Sequence, residues 1–197
     1  MIEVEKKFSL TPEQIRKIES TAEFVGEVKN TDIYYDTPDY RLVKKDWWFR
    51  NRDGKFEIKI SPENKSALIN VYEEIADPEK IIQRLNLKKL SDDFEESLKL
   101  NGFQILVKLV TKRRKFKIKD FNIDIDEVDY GYTLCEIEKM VENESEIEKA
   151  TQEVFKLAES LGLEIKKVRG KGMEYFYRFN REVYDAFQNS PARKRYE

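Results

Sequence analysis

Hydrophobic and polar positions alternate along several short runs of this chain, and the polar positions are mostly charged. In Ile2-Glu3-Val4-Glu5-Lys6-Lys7-Phe8, Ile2, Val4 and Phe8 fall on one face of a strand and Glu3, Glu5 and Lys7 on the other. Taken alone, this is the pattern of a solvated edge strand. It returns, however, in strand after strand. Trp48, Arg50 and Arg52 share one parity; after Asp53-Gly54, a two-residue hairpin signal, Glu57 and Lys59 oppose Phe56, Ile58 and Ile60. Arg113, Lys115 and Lys117 oppose Arg114, Phe116 and Ile118, less cleanly because Arg114 falls on the apolar side. Asn122, Asp124 and Asp126 oppose Phe121, Ile123 and Ile125, and Glu136 and Glu138 oppose Cys135 and Ile137.

Ordinary wet faces scatter Thr, Ser, Lys and Glu. Here the signs are sorted, with carboxylates on the first and last of these strands and bases on those between. The pattern predicts an α+β fold: a closed antiparallel β-barrel of about eight strands forming a charged tunnel, with packing helices outside. Such a lumen suits a polyanion that arrives with divalent metal, since Arg and Lys take phosphate oxygens and carboxylates take the metal.

Between the strands, Thr11-Pro12-Glu13-Gln14 carries a capping box with proline at the first helical position. Asp77-Pro78 and Ser91 are predicted to cap two further helices, the second stopped at Gly102. Ser145-x-x-Glu148 reads as a capping box opening a long helix that ends at Gly162, and Asn180 as the cap of a last one. Residues 23 to 30 read as a strand or loop, 61 to 67 as a loop, and 68 to 75 as a strand in which Glu74 could face the lumen, the adjacent Glu73 leaving its phase open. The basic cluster at 111 to 115 is placed at a strand end, and 168 to 172 reads as a glycine-flanked basic loop unlike a P-loop. Tyr34 and Tyr35 are taken as framework residues. One domain is expected over 1–188, with 189–197 a flexible tail in which Arg193 serves solubility.

Charge is abundant, at 39% of residues, but balanced at a net −2. That argues against a nucleic-acid binder, which needs a basic excess. No apolar run reaches the length of a membrane span, and the single cysteine, Cys135, sits on the apolar parity as a core residue. A reducing, cytoplasmic setting, a monomer, and no membrane or nucleic-acid partner are the expectations. The sequence holds no histidine. This excludes Ser-His-Asp and Cys-His sites, a phosphohistidine and the usual zinc centres; metal chemistry must use oxygen ligands, which favours Mg²⁺ or Mn²⁺.

Glu3-x-Glu5-x-Lys7, the segment from Asp32 to Leu42, the Trp48-x-Arg50-x-Arg52 strand and Glu136-x-Glu138 together resemble the CYTH superfamily of triphosphate tunnel metalloenzymes. Within it, Asp124 to Glu138 and Lys171 to Phe179 are most similar to the thiamine triphosphatase family. The resemblance runs from residue 1 to about 187. It implies metal-dependent hydrolysis of the terminal phosphate of a small-molecule triphosphate, foremost thiamine triphosphate, with Mg²⁺ or Mn²⁺ as cofactor. It also implies that Trp48 contacts the organic moiety, that Arg113 binds phosphate, and that Lys171 matches a phosphate-binding lysine. With the lumen pattern, it assigns Lys7, Arg50, Arg52, Lys59, Arg113 and Lys171 to the triphosphate, and Glu3, Glu5, Asp124, Glu136 and Glu138 to metal. Glu5, Lys7, Glu136 and Glu138 are the candidate catalytic residues. An inorganic triphosphatase, a cyclase resembling class IV adenylyl cyclases and a non-enzymatic polyphosphate-binding module are the alternatives.

Overall fold

A computed structural model describes residues 2–62 and 69–194. Eight strands run β1 (Ile2–Phe8), β2 (Glu23–Asp36), β3 (Trp47–Arg52), β4 (Lys55–Ile60), β5 (Asn70–Ile75), β6 (Gln104–Ile118), β7 (Phe121–Val128) and β8 (Tyr132–Val141). They close a barrel in the order β1-β5-β4-β3-β2-β6-β7-β8, and every pairing is antiparallel. The β3–β4 hairpin turns through Asp53 and Gly54 at φ of 50° and 87°, the positive pair that a type I′ turn demands.

Charge helps to set the register. Arg50 lies opposite Glu57, Lys59 opposite Glu74, Asp32 opposite Arg52, Arg113 opposite Asp126 and Lys7 opposite Glu136. Opposite charges facing across a ladder stabilise it, and a one-residue slip would turn every one of them out of the lumen.

The outer walls are covered as the apolar parity requires. Helices α1 (Pro12–Thr21) and α4 (Ile147–Ser160) bury Ile18, Ala150 and Val154 against Val4, Ile123, Ile125, Cys135 and Ile137. Helices α2 (Pro78–Leu85) and α3 (Phe94–Leu100) bury Ile81, Leu85 and Leu98 with Phe49, Ile58 and Ile60. Three more helices follow: α5 (Lys171–Phe179), α6 (Arg181–Gln188) and α7 (Pro191–Lys194). Here the third cluster forms, and part of it lies inside the barrel. Tyr34, Leu109, Val128 and Leu134 share the lumen parity of Asp32, Thr111, Asp126 and Glu136, and they pack on Met173 and Phe176 of α5. Helix α5 thus covers one end of the lumen, where only outside helices were expected.

Other local readings change for identifiable reasons. The basic cluster at 111–115 lies within a 15-residue strand and not at a strand end, because β6 pairs on both sides with long partners. Residues 23–36 form one continuous strand. Helix α3 is capped by Asp93, whose side chain accepts from the Glu96 amide; Ser91 instead donates to the Glu96 carboxylate. The capping box before α4 is Asn143 with Glu146, two residues earlier than Ser145 with Glu148, and it opens a 3₁₀ turn that leads into the helix. The loop at 168–172 ends inside α5, whose first residue is Lys171. The expected strand from Leu68 begins at Asn70; its first position, Leu68, and most of the 61–67 loop lie outside the described residues. In the segment expected to be a tail, Ala192 is buried in the third cluster and Ser190 is buried as well. No helix among the described residues is long and apolar enough to cross a membrane.

Candidate active site

Every side chain to which the sequence assigned chemistry lines one cavity of about 740 Å³ inside the barrel. The acids and bases there are knotted into three groups.

Arg113 is the centre of the first. Its Nε and Nη2 hold Asp126 at 2.6 Å each, Nη2 also reaches Glu136 Oε2 at 2.8 Å, and Nη1 donates to Asp124. A planar fork suits this role, since one guanidinium can bridge carboxylates from two neighbouring strands. Asp32 is the centre of the second. It accepts from Arg52 at 2.6 and 3.0 Å, meets Lys171 Nζ at 3.0 Å and lies 3.7 Å from Arg50. Lys171 also touches Asp126 and Thr111, both at 3.4 Å, and so links the two groups. Burial would raise the Asp32 pKa, but the Arg52 hydrogen bonds, Arg50 and Lys171 outweigh it and hold the carboxyl well below its ordinary value.

The third group is on β1, β4, β5 and β8. Lys59 Nζ reaches Glu3 at 2.5 Å, Glu74 at 3.1 Å and Glu5 at 3.4 Å, which fixes Glu74 as a lumen residue. Lys7 pairs with Glu5 and lies 3.6 Å from Glu136. Burial lowers the Lys7 pKa despite Glu136. Glu136 moves down: Lys7, Arg113 and Lys171 overcome its burial. Glu138 differs, as no hydrogen bond or ion pair engages it among the described residues. Burial first, and then the Glu3 carboxylate, push it up to about 8 against the pull of Lys59.

Glu3, Glu5 and Glu138 each bring a carboxylate oxygen within 4.8 Å of the others. One Asp124 oxygen is buried with no partner, while the other is held by Arg113. Convergent carboxylates and an orphaned oxygen fit a hard divalent cation that takes oxygen ligands. Of the five residues expected to hold metal, Glu3, Glu5 and Glu138 converge; Asp124 and Glu136 face each other across β7 and β8 and are bridged by Arg113.

At the α5 end, Trp48 donates its indole N–H to Asp46 at 2.8 Å and meets the Tyr34 ring edge-on, with centroids 6.2 Å apart. Tyr34 accepts from Arg50 at 3.2 Å and lines the cavity, so it belongs to the site and not only to the framework. Sequence reasoning also left Asp32 and Asp126 out of the site. Their lumen parity was readable; their roles as anchors of Arg52, Lys171 and Arg113 depend on contacts across the barrel. Cys135 is fully buried, and burial raises its thiol far above the ordinary value, which fits a core residue.

A closed antiparallel barrel, lined by interleaved acids and bases and covered at one end by a helix, defines a class of charged-lumen barrel proteins. The chain belongs to the CYTH domain family, which matches residues 1–170. It is 29% identical over 205 residues to thiamine-triphosphatase from Homo sapiens and likewise to that from Macaca fascicularis, spanning 93% of this chain and 88% of each of theirs. Among solved structures, the PH1819 protein from Pyrococcus horikoshii OT3 is similar at a TM-score of 0.63 and 26% identity, covering 89% of this chain and 99% of that one. A putative adenylate cyclase from Vibrio parahaemolyticus shares the fold at a TM-score of 0.59 and 16% identity, with 87% and 96% covered.

Proposed function

We propose that this protein hydrolyses the terminal phosphate of a small-molecule triphosphate, with thiamine triphosphate giving thiamine diphosphate and orthophosphate. The observation that carries this reading is the convergence of Glu3, Glu5 and Glu138 in a lumen whose other walls carry Lys7, Arg50, Arg52, Lys59, Arg113 and Lys171. A passive polyphosphate binder needs the bases but gains nothing from acids placed to repel its ligand. The names of the human and macaque relatives support the thiamine ester, and Trp48 supplies a flat surface for an organic group.

Glu3, Glu5 and Glu138 would hold Mg²⁺ or Mn²⁺, and the Asp124 oxygen that has no partner belongs to a residue of the same lumen. When bound there, the cation would screen the phosphate charges and lower the pKa of a water. The lumen bases bind and straighten the triphosphate. In the structure they are occupied by carboxylates, so phosphate oxygens replace carboxylate oxygens on the same donors. Water adds to the terminal phosphorus as the bond to the bridging oxygen breaks; Lys7 gives a proton to the departing diphosphate and is restored by the proton that the water loses, leaving orthophosphate. Glu136, held ionised, keeps the Lys7 ammonium aimed inward. No side chain becomes covalently modified. The buried, unpaired Cys135 suits a reducing cytoplasm.

Phosphate release from thiamine triphosphate, inorganic triphosphate and ATP at matched concentration, with Mg²⁺ and then Mn²⁺, tests the reading. Preference for thiamine triphosphate is expected. Preference for inorganic triphosphate would retain the lumen chemistry and remove Trp48 from it. Pyrophosphate and cyclic nucleotide from ATP, without phosphate release, would overturn it in favour of a cyclase.

A further inference from the structure

Arg193 belongs to a segment that the sequence gives no role beyond solubility, yet it lines the cavity, and Ala192 beside it belongs to the cluster against which Trp48 packs. Helix α7 is anchored there. Ala192 is buried in the cluster that holds Met173, Phe176 and Phe187, and the Arg193 amide donates to Ser190 Oγ at 3.2 Å. The side chain is oriented too, since its Nε donates to Gln188 Oε1 at 3.1 Å. With these bonds made, Nη1 is buried and has no hydrogen-bond partner. A guanidinium nitrogen held in this way is a donor waiting for an acceptor, because native proteins rarely leave one unsatisfied.

Two carboxylates of the same cavity lining are bound to other groups. Asp46 accepts from the Trp48 indole, and Glu174 is taken by Arg169 at 3.0 Å and Arg178 at 2.8 Å. Their negative charge also disfavours a second anionic group at this end. What fits beside an indole, a Met173 thioether and one unsatisfied donor is a flat group with a neutral acceptor in its plane.

We infer that Arg193 is a specificity-determining residue that donates from Nη1 to a ring nitrogen of a heteroaromatic group at the end of the substrate away from its phosphates. The inference rests on the reading that the lumen holds a triphosphate with its organic part at Trp48, and it assigns that part a nitrogen heterocycle such as a pyrimidine. Arg193 acts on affinity for the organic group and takes no part in bond breaking.

Calorimetric titration in EDTA, with thiamine triphosphate and inorganic triphosphate as probes, tests this separately from turnover. Arg193→Met keeps the apolar stem and removes the donors; it is expected to lower affinity for thiamine triphosphate about tenfold relative to that for inorganic triphosphate, the effect of one lost hydrogen bond. Arg193→Lys, which leaves α7 its charge and length, is expected to show a smaller loss with the same preference. An equal loss for both probes, no loss for either, or wild-type protein that binds the two alike would overturn the inference. Failure to hydrolyse either probe would count against the proposed activity and leave the affinity ratio as the measure of Arg193.

Discussion

Glu5 and Glu138 face each other directly across the β1–β8 ladder, two carboxylates where the neighbouring pair is Lys7 with Glu136. Like charges in opposite positions weaken a ladder. Glu5 is partly relieved by Lys7 and Lys59, whereas Glu138 has neither as an ion-pair partner. Without metal, and above pH 8 where Glu138 is ionised, Glu138→Gln is therefore expected to raise stability, by about 1 kcal/mol and a few degrees in Tm for a chain of this size. With Mg²⁺ the order reverses, because the wild type gains binding energy that the variant lacks. Thermal melts of both proteins in EDTA and in Mg²⁺ check this. A variant that gains as much from Mg²⁺ as the wild type would remove Glu138 from the cation site. The same variant, and Glu5→Gln, should lose turnover while remaining folded.

The raised pKa of Glu138 sets a pH dependence with a definite sign. Unfolded, this carboxyl titrates near 4.5; folded and without metal, near about 8. Between these values the folded state carries a proton that the unfolded state does not, so this group's contribution to stability is fully present below 4.5 and is lost as pH rises through about 8. A cation at Glu3, Glu5 and Glu138 competes with that proton. Affinity for Mg²⁺ should consequently rise from pH 6 to about pH 8 and level off above it. Titrations of metal into wild type and Glu138→Gln across this range decide the point. The rise must be lost in the variant.

Much of this site can be read from the chain because a strand has a period of two. Once Glu3, Glu5 and Lys7 are placed on one face, Arg50, Arg52, Lys59, Arg113, Asp124, Glu136 and Glu138 follow by parity, and the apolar faces dictate a closed sheet with helices outside. Parity says which way a side chain points but not what it meets. Asp32 and Asp126 look like any other lumen carboxylates until β2, β6 and α5 meet, and Tyr34 looks like framework until Arg50 reaches its hydroxyl. Helix α5 escaped notice for another reason. Lys171-Gly172-Met173 is short, basic and flanked by glycine, and burial of Met173 and Phe176 with Leu109 and Leu134 helps to stabilise it as a helix. The same holds for α7, whose four residues carry no periodicity from which to argue.

Asp32 tests the claim that acids hold the bases in place. It is fully buried and bound by Arg52 and Lys171, with Arg50 nearby. Removing one partner of a buried charge cluster leaves the others uncompensated, and such losses run to about 3 kcal/mol or more. Asp32→Asn should lower stability by about that amount in urea unfolding, far beyond a surface substitution. It should also weaken triphosphate binding, although Asp32 would never touch a phosphate, because Arg52 and Lys171 lose the acceptor that aims them. A change within about 0.5 kcal/mol would show that the two bases hold their positions without it.

Arg52 and Trp48 divide the site between the phosphates and the organic part. Arg52 sits on the lumen face of β3, joined to Asp32, with Trp48 two turns of alternation away beside Tyr34. An extended triphosphate spans several lumen bases, whereas orthophosphate can settle on any pair of them. Arg52→Ala should therefore weaken binding of inorganic triphosphate by about 10-fold to 100-fold, the loss of a charge-assisted contact, and that of orthophosphate much less. Trp48→Ala should spare inorganic triphosphate and lower kcat/KM for thiamine triphosphate by a comparable factor, since a stacked ring is worth about 1–3 kcal/mol. Measuring both ligands on both variants separates the roles. If Arg52→Ala weakens triphosphate and orthophosphate equally, Arg52 does not grip the extended chain; if Trp48→Ala slows both substrates alike, the indole shapes the barrel end and does not read the organic group.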